Sequence, residues 1–311
     1  MQSLPAGVLR IGTRGSRLAL AQASMVRTRL IAAHGLAPDR IELKIIRTTG
    51  DMIRDRPLAE AGGKGLFTKE IEEALLAGDV DLAVHSAKDM PTVLPARLTI
   101  AAVLPREDPR DVFISRKAQT LRALAPGSTV GTASLRRQAL VKQARPDLEV
   151  VNLRGNVETR LRKLDEGLVD AILLALAGLK RLALAHAATA ILAIDEFLPA
   201  VGQGIIAIET RGDDAPTRAL LEPINAAEDA IALQAERAFL AVLDGSCRTP
   251  IAGYAAVQDG RVRFRGLIAR PDGSESFAAA REGAAADATA LGADAGRELK
   301  SRAGVGFFAP A

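Results

Sequence analysis

Strand-like apolar runs alternate with amphipathic helical patterns over the first two thirds of the chain, and this alternation restricts the fold more than any other feature. Short apolar runs fall at 8–12, 41–47, 80–84, 99–103, 129–131, 149–153 and 171–174, with helical patterns at 16–34, 68–77, 134–145 and 156–166. Each helical pattern opens on Ser, Thr or Asn, which can cap its first turn, and three of the four stop before Gly and the other before Pro. Strands and helices in this rhythm bury their apolar faces by forming α/β layers.

Two loop-rich joints, 104–110 and 198–204, bracket a central segment of domain size. They predict one α/β unit inserted into another, with 205–209 returning as a strand to the first sheet. After Asp213 the pattern changes to an Ala-rich helix at 226–242, strands at 251–257 and 262–268, and a last helix near 286–300. That tail reads as a small α+β domain. A chain of 311 residues has room for all three. The expected boundaries are 1–104 with 205–222 for domain 1, 105–204 for domain 2 and 223–311 for domain 3.

Composition narrows the function. Forty-one Lys and Arg against 37 Asp and Glu leave a net charge of +4, too small a field to draw the protein to nucleic acid or a membrane surface. Eight Phe, one Tyr and no Trp offer few rings for stacking bases. The longest apolar run, 171–177, falls far short of the ~20 residues that span a bilayer. Residues 1–10 carry no secretory pattern, so the expected location is the cytoplasm. One cysteine excludes an internal disulfide framework and a multi-cysteine metal site.

Three times a strand runs into a polar loop and a helix with arginine at the junction: Thr13-Arg14-Gly15-Ser16, Thr132-Ala133-Ser134-Leu135-Arg136-Arg137 and Leu153-Arg154-Gly155-Asn156. Free N–H groups at a helix start attract anions, and a guanidinium fork matches a carboxylate. Taken singly, such a junction is more often plain capping by Ser16, Ser134 or Asn156 beside a solvated arginine; three together favour an anion site. Arg160, Lys180 and Arg181 extend the theme, each with a surface-charge reading beside it. Val84-His85-Ser86-Ala87-Lys88-Asp89 ends a buried-looking strand with polar groups. A lone Asp there is usually a turn residue; among cations, Asp89 can stay ionised and stabilise a cation or exchange protons. His85 reads as a structural hydrogen-bonding residue, since no second His or Cys lies at ligand spacing.

Gly62-Gly63-Lys64-Gly65 lacks the phosphate-loop spacing and reads as a mobile lid carrying Lys64. Gly202-Gln203-Gly204 leads into a strand rather than a helix, which rejects dinucleotide binding. Cys247 sits in the small-residue loop Asp244-Gly245-Ser246-Cys247-Arg248. Spacing alone leaves it divided between an inert buried thiol and a thiolate favoured by Arg248. The arginine junctions alone also fit a non-catalytic anion-binding module of the solute-binding type.

Taken together, RIGTRGSRLALAQ, GGKGLFTKEIE, VHSAKDMPT, REDPRD, GTASLRRQ, LRGNVETRL, AGLKRL, LPAVGQG and DGSCRTPI resemble the porphobilinogen deaminase family, in order from Arg10 to Gly253. The resemblance implies two α/β domains like those of periplasmic solute-binding proteins, an active-site cleft between them, a small third domain, and a monomer. It implies a dipyrromethane cofactor held by a thioether to Cys247, on which four porphobilinogen units add head to tail with loss of ammonia. Each pyrrole brings an acetate and a propionate, so the longest enzyme-bound chain carries about twelve carboxylates, which repel unless paired with cations. By motif position the resemblance assigns Lys88, Asp89, Thr132, Ser134, Arg136, Arg137, Arg154 and Gly155 to the cofactor. It assigns Arg14, Ser16, Lys64, Phe67, Arg154, Arg160 and Arg181 to the substrate, with Asp89 as the catalytic carboxylate. Ala133 and Arg248 stand where many members have serine and glutamine, and neither change removes a group the chemistry needs.

Overall fold

The computed structural model describes residues 7–52, 65–244, 249–304 and 306–307. These fall into two compact units: 7–52 with 65–107 and 205–230, and 108–204 with the described residues from 231 onward.

The first unit runs β1 (Leu9–Thr13), α1 (Arg17–His34), β2 (Ile41–Ile45), α2 (Thr49–Met52), α3 (Lys69–Ala77), β3 (Leu82–Ser86) and β4 (Leu98–Val103). The second then runs β5 (Asp111–Ser115), β6 (Thr129–Gly131), α4 (Leu135–Ala144), β7 (Glu149–Val151), α5 (Val157–Asp165), β8 (Ala171–Ala175), α6 (Leu176–Arg181) and β9 (Ala190–Ile191). The chain returns to the first unit with β10 (Ile206–Arg211) and α7 (Ala215–Leu221), and finishes with α8 (Ala227–Val242), β11 (Ile251–Gln258), β12 (Arg261–Ala269), β13 (Ser276–Ala284) and α9 (Ala288–Ala303).

Both five-stranded sheets share one pattern. In the first the order is β2-β1-β3-β10-β4, in the second β7-β6-β8-β5-β9. Four strands in each run the same way, three of them adjacent, and the strand that enters by a crossing, β10 or β5, is antiparallel to both its neighbours. The return strand expected at 205–209 is thus β10, seated between β3 and β4. Side-chain alternation explains how each sheet is covered on both faces. Leu82 and Val84 of β3 join one buried cluster with Val26 and Leu30 of α1, while Ala83 joins another with Ile71 and Leu75 of α3. Likewise Phe113 of β5 packs with Leu140 and Val141 of α4, and Val112 and Ile114 pack on the opposite side with Leu164 of α5.

The third sheet, β11-β12-β13, is an antiparallel meander covered by α8 and α9. Phe239 of α8 meets Phe264 of β12 with ring centroids 5.0 Å apart. Gly292 of α9 lies so close to α8 that a Cβ there would stand 2.0 Å from the Ala235 carbonyl oxygen, which only glycine tolerates. Glu236 of α8 is fully buried and accepts from the Gly202 and Ala255 amides at 2.6 and 2.8 Å, tying the 199–204 loop to β11 within this unit.

Three strands differ from the sequence expectation. β5 follows the joint 104–110 at once, β9 has only two residues, and β13 occupies an alanine-rich stretch with no strand pattern. Nine-residue pairing with β12 overrides that local composition. Three of the four expected caps form, with Ser16, Ser134 and Asn156 each accepting a hydrogen bond from the third residue of the helix, whereas Thr68 precedes α3 without a side-chain cap bond. Among the described residues no helix is long and apolar enough to cross a membrane.

Candidate active site

In the first unit β1 and β3 are parallel neighbours, pairing Ile11 with Leu82, so their carboxyl ends emerge at one edge of the sheet. Ligands of open α/β sheets bind at such edges. Arg14 and Ser16 follow β1; Lys88 and Asp89 follow β3. The Ser16 hydroxyl accepts the Ala19 amide at 3.2 Å, capping α1. Arg14 lies 4.2 Å from the centroid of the Phe67 ring, a cation–π contact worth about 0.5–2 kcal/mol. Asp89 is exposed and ends a single 3-10 turn. That turn is pinned by the Ala87 amide on the Ile205 carbonyl at 3.0 Å and by the Met90 amide on the Ala87 carbonyl at 3.3 Å.

The segments flanking 53–64 are tied together at their base. The Thr49 amide donates to Glu70 at 2.9 Å, the Thr49 hydroxyl donates to the same oxygen, and the Gly50 amide donates to the Leu66 carbonyl at 2.7 Å. Burial opposes ionisation of Glu70, yet the Thr49 hydrogen bonds hold its carboxyl below the ordinary value. The Phe67 ring rests on Gly50, where a Cβ would stand 2.4 Å from it. Lys64 lies outside the described residues.

Beneath this edge, on the α3 side of the sheet, three titratable side chains share a buried space. Glu209 of β10 pairs across from Ala83, His85 follows two residues on, and Glu72 of α3 faces them. All three are buried, and His85 Nε2 stands 3.2 Å from Glu209 Oε2. Burial pushes the Glu72 carboxyl up; the nearby Thr68 hydroxyl opposes this and Glu209 adds to it. The sequence context of His85 gave no sign of these carboxylate neighbours.

The second unit repeats the arrangement at the carboxyl ends of β7, β6 and β8. Thr132 is buried and its hydroxyl accepts the Ser134 amide at 3.2 Å. Ser134 caps α4 by accepting the Arg137 amide at 3.4 Å. Gly155 has φ +127°, a conformation L side chains rarely adopt, and a Cβ there would stand 2.6 Å from Thr159 Cγ2. Its carbonyl accepts from Arg160 Nε at 2.8 Å. Arg154 is half-buried, and its carbonyl accepts from Lys163 Nζ at 3.1 Å. Arg181, at the end of α6, donates to the Gly204 carbonyl at 2.6 Å.

Arg136 and Arg137, in the first turn of α4, are only 4% and 5% exposed. Asp111 occupies the β5 face that also carries Phe113, toward α4, and takes both guanidiniums. Oδ2 accepts Arg136 Nη2 at 2.7 Å; Oδ1 accepts Arg137 Nη2 at 2.7 Å and Nε at 3.2 Å. Gln203 Nε2 adds a further bond to Oδ1 at 3.0 Å. Against the cost of full burial, the two arginines hold the Asp111 carboxyl far below the usual carboxylate range. Further arginine donors reach the Leu198 and Leu173 carbonyls at 2.7 and 3.0 Å, while the buried Arg136 Nε finds no acceptor among the described residues. The sequence reading named both arginines for ligand carboxylates and missed this internal partner. Cys247 and Arg248 lie outside the described residues.

Comparison with known proteins yields matches along nearly the whole chain. The family model described as "Porphobilinogen deaminase, dipyromethane cofactor binding domain" matches residues 9–219, and "Porphobilinogen deaminase, C-terminal domain" matches 230–301. The porphobilinogen deaminase of Nitrobacter hamburgensis is 64% identical over 96% of this chain and 94% of its own. That of Paracoccus denitrificans is 56% identical over 98% and 97%. A periplasmic substrate-binding protein of an ABC transporter from Coxiella burnetii covers 70% of this chain and 92% of its own at 15% identity, with a TM-score of 0.43, too low to support any argument.

Proposed function

The chain belongs to the porphobilinogen deaminase family, and on that premise we propose which of its residues carry out the reaction. The enzyme is a transferase, hydroxymethylbilane synthase, which joins four porphobilinogen molecules head to tail with loss of ammonia and uses a dipyrromethane cofactor. The observation supporting the residue assignment is the gathering of arginines, capping hydroxyls and Asp89 at the carboxyl ends of the parallel strands in each unit.

The donor set fits a ligand dense in carboxylates. Cations and helix starts answer negative charge, and the buried Arg136 Nε keeps an N–H that finds no acceptor among the described residues. When bound, the cofactor supplies the nucleophilic pyrrole carbon that primes the chain. Lys88, Thr132, Ser134, Arg136, Arg137, Arg154 and the Gly155 amide hold its carboxylates, and Cys247 carries it through a thioether. Ser16 and Ser134 accept a backbone amide while keeping their own O–H to donate, so capping and ligand binding are compatible. Arg14, Ser16, Lys64, Phe67, Arg160 and Arg181, with Arg154 shared, hold the carboxylates of incoming and added units.

Asp89 performs the chemistry. Loss of ammonia from porphobilinogen leaves an electron-poor methylene-pyrrole cation, and the Asp89 carboxylate stabilises it. Attack by the ring carbon of the preceding unit closes the new carbon–carbon bond, and the proton displaced from that carbon passes to Asp89. The exposed turn lets this carboxylate meet successive rings without a buried charge. The protein acts as a cytoplasmic monomer on a small molecule, with no nucleic-acid or membrane partner. Its modest net charge and few aromatic rings support that reading.

Intact-mass measurement of the purified protein and of Cys247→Ser tests the assignment. A stable addition of two linked pyrroles, growing by one-pyrrole steps with porphobilinogen and absent from the variant, is expected. An unmodified protein that fails to gain mass even when preincubated with porphobilinogen would overturn it.

A further inference from the structure

Buried ion pairs are an inefficient way to stabilise a fold, because the cost of removing charges from water often exceeds their attraction. At the start of α4 two arginines and one aspartate are buried together, so among the described residues one positive charge is left over. An apolar trio of similar size would serve stability at least as well. The cluster therefore calls for a role that apolar packing cannot fill.

The geometry points to Asp111 as a positioning residue, which fixes the Arg136 and Arg137 forks for ligand carboxylates while leaving them the surplus charge that attracts one. The inference rests on the reading that these arginines serve the cofactor. Each oxygen of Asp111 takes a different guanidinium, so a single carboxylate sets both. Gln203 fixes the carboxylate in turn, donating to Asp111 and to the Pro109 carbonyl at 2.7 Å. With Leu198 and Leu173 each accepting one further donor, both forks are held before any ligand arrives. Pre-set donors spend less conformational entropy on binding than flexible surface arginines. One carboxylate for two arginines also matters: full neutralisation would remove the attraction, and no carboxylate would leave two repelling cations buried.

The test is dipyrromethane content by intact mass in Asp111→Asn, set beside Arg136→Gln and Arg137→Gln, with thermal unfolding of each. Asparagine keeps one acceptor oxygen but turns an N–H₂ toward an arginine donor. Folded Asp111→Asn is expected to be about tenfold or more poorer in cofactor, or slower to acquire it from porphobilinogen, as when partners that orient metal ligands are removed. Cofactor at the normal level in folded Asp111→Asn, with both arginine variants deficient, overturns the positioning role alone. Normal cofactor in both arginine variants overturns the reading beneath it. Should Asp111→Asn not fold, Asp111→Asn/Arg136→Gln restores the native charge count. That double variant must take up cofactor more slowly than Arg136→Gln, and equal time courses overturn the inference.

Discussion

Replacing Gly155 with alanine tests how the loop between β7 and α5 holds its arginines. At φ +127° an alanine is strained by roughly 1–3 kcal/mol whatever the space around it. The added Cβ would also stand 2.6 Å from Thr159 Cγ2 and 2.7 Å from Thr159 Cβ, so Thr159 must move. Thr159 is not free to do so without loss. Its amide is held by the Asn156 cap at 2.8 Å, and breaking an N-cap costs about 0.5–2 kcal/mol. Together these give a local penalty of roughly 1.5–5 kcal/mol. The first turn of α5 should absorb it, since that turn frays more cheaply than the sheet opens. Hydrogen exchange at the Thr159 and Arg160 amides should accelerate, and the Arg160 bond to the Gly155 carbonyl should be lost, with cofactor content falling. Adding Thr159→Ala removes the Cγ2 clash but leaves the φ strain and the Cβ contact, so it should restore only part of the protection. Wild-type protection and melting in Gly155→Ala would refute the reasoning.

Two further perturbations follow from the first unit. The folded-state pKa of Glu72 lies above its unfolded value, so the native state binds the extra proton and stability falls as pH rises from the ordinary carboxylate range toward the raised value, by up to about 1.4 kcal/mol per pH unit. Glu72→Gln should abolish that fall in urea midpoints taken across the range; an unchanged slope would refute its assignment to Glu72. Asp89→Asn, at an exposed turn position, should shift stability by no more than about 0.5 kcal/mol while nearly abolishing turnover, and near-normal turnover would remove Asp89 from its role.

The sequence carried the fold best where backbone demands are met by side chains of the same segment. Ser16, Ser134 and Asn156 mark helix starts because the cap bond spans only three residues, and φ at Gly155 is a demand on one residue. β13 was hidden because its register with β12 is a long-range fact, and Ser-Phe-Ala-Ala-Ala-Arg-Glu-Gly-Ala has no alternation to reveal it. The site divides in the same way. Arg14, Lys88, Asp89, Arg154 and Arg181 follow strands whose ends could be located, so their placement at sheet edges was legible. Asp111 was not: an aspartate between Arg110 and an apolar run reads as the end of a loop. Only pairing of β5 with β8 brings it beneath arginines 25 and 26 residues on. Glu209 and Glu72 likewise read as ordinary charges of a strand end and a helix until the sheet stacks them on His85.

The strand that arrives by crossing has a consequence for how the molecule is made. β10 fills the slot between β3 and β4, yet it is translated roughly a hundred residues after β4. A ribosome-bound chain that ends before Ile206 has β4 without the strand it pairs with among the described residues, and the hydrogen-bonding edge of β3 open to water. The second five-stranded sheet, by contrast, has all its strands in one uninterrupted stretch from β5 to β9. Assembly from the amino end is therefore out of step with architecture: the first sheet to be synthesised is the last of the two that can close. Its exposed edge must be kept from wrong pairings until the carboxyl half emerges.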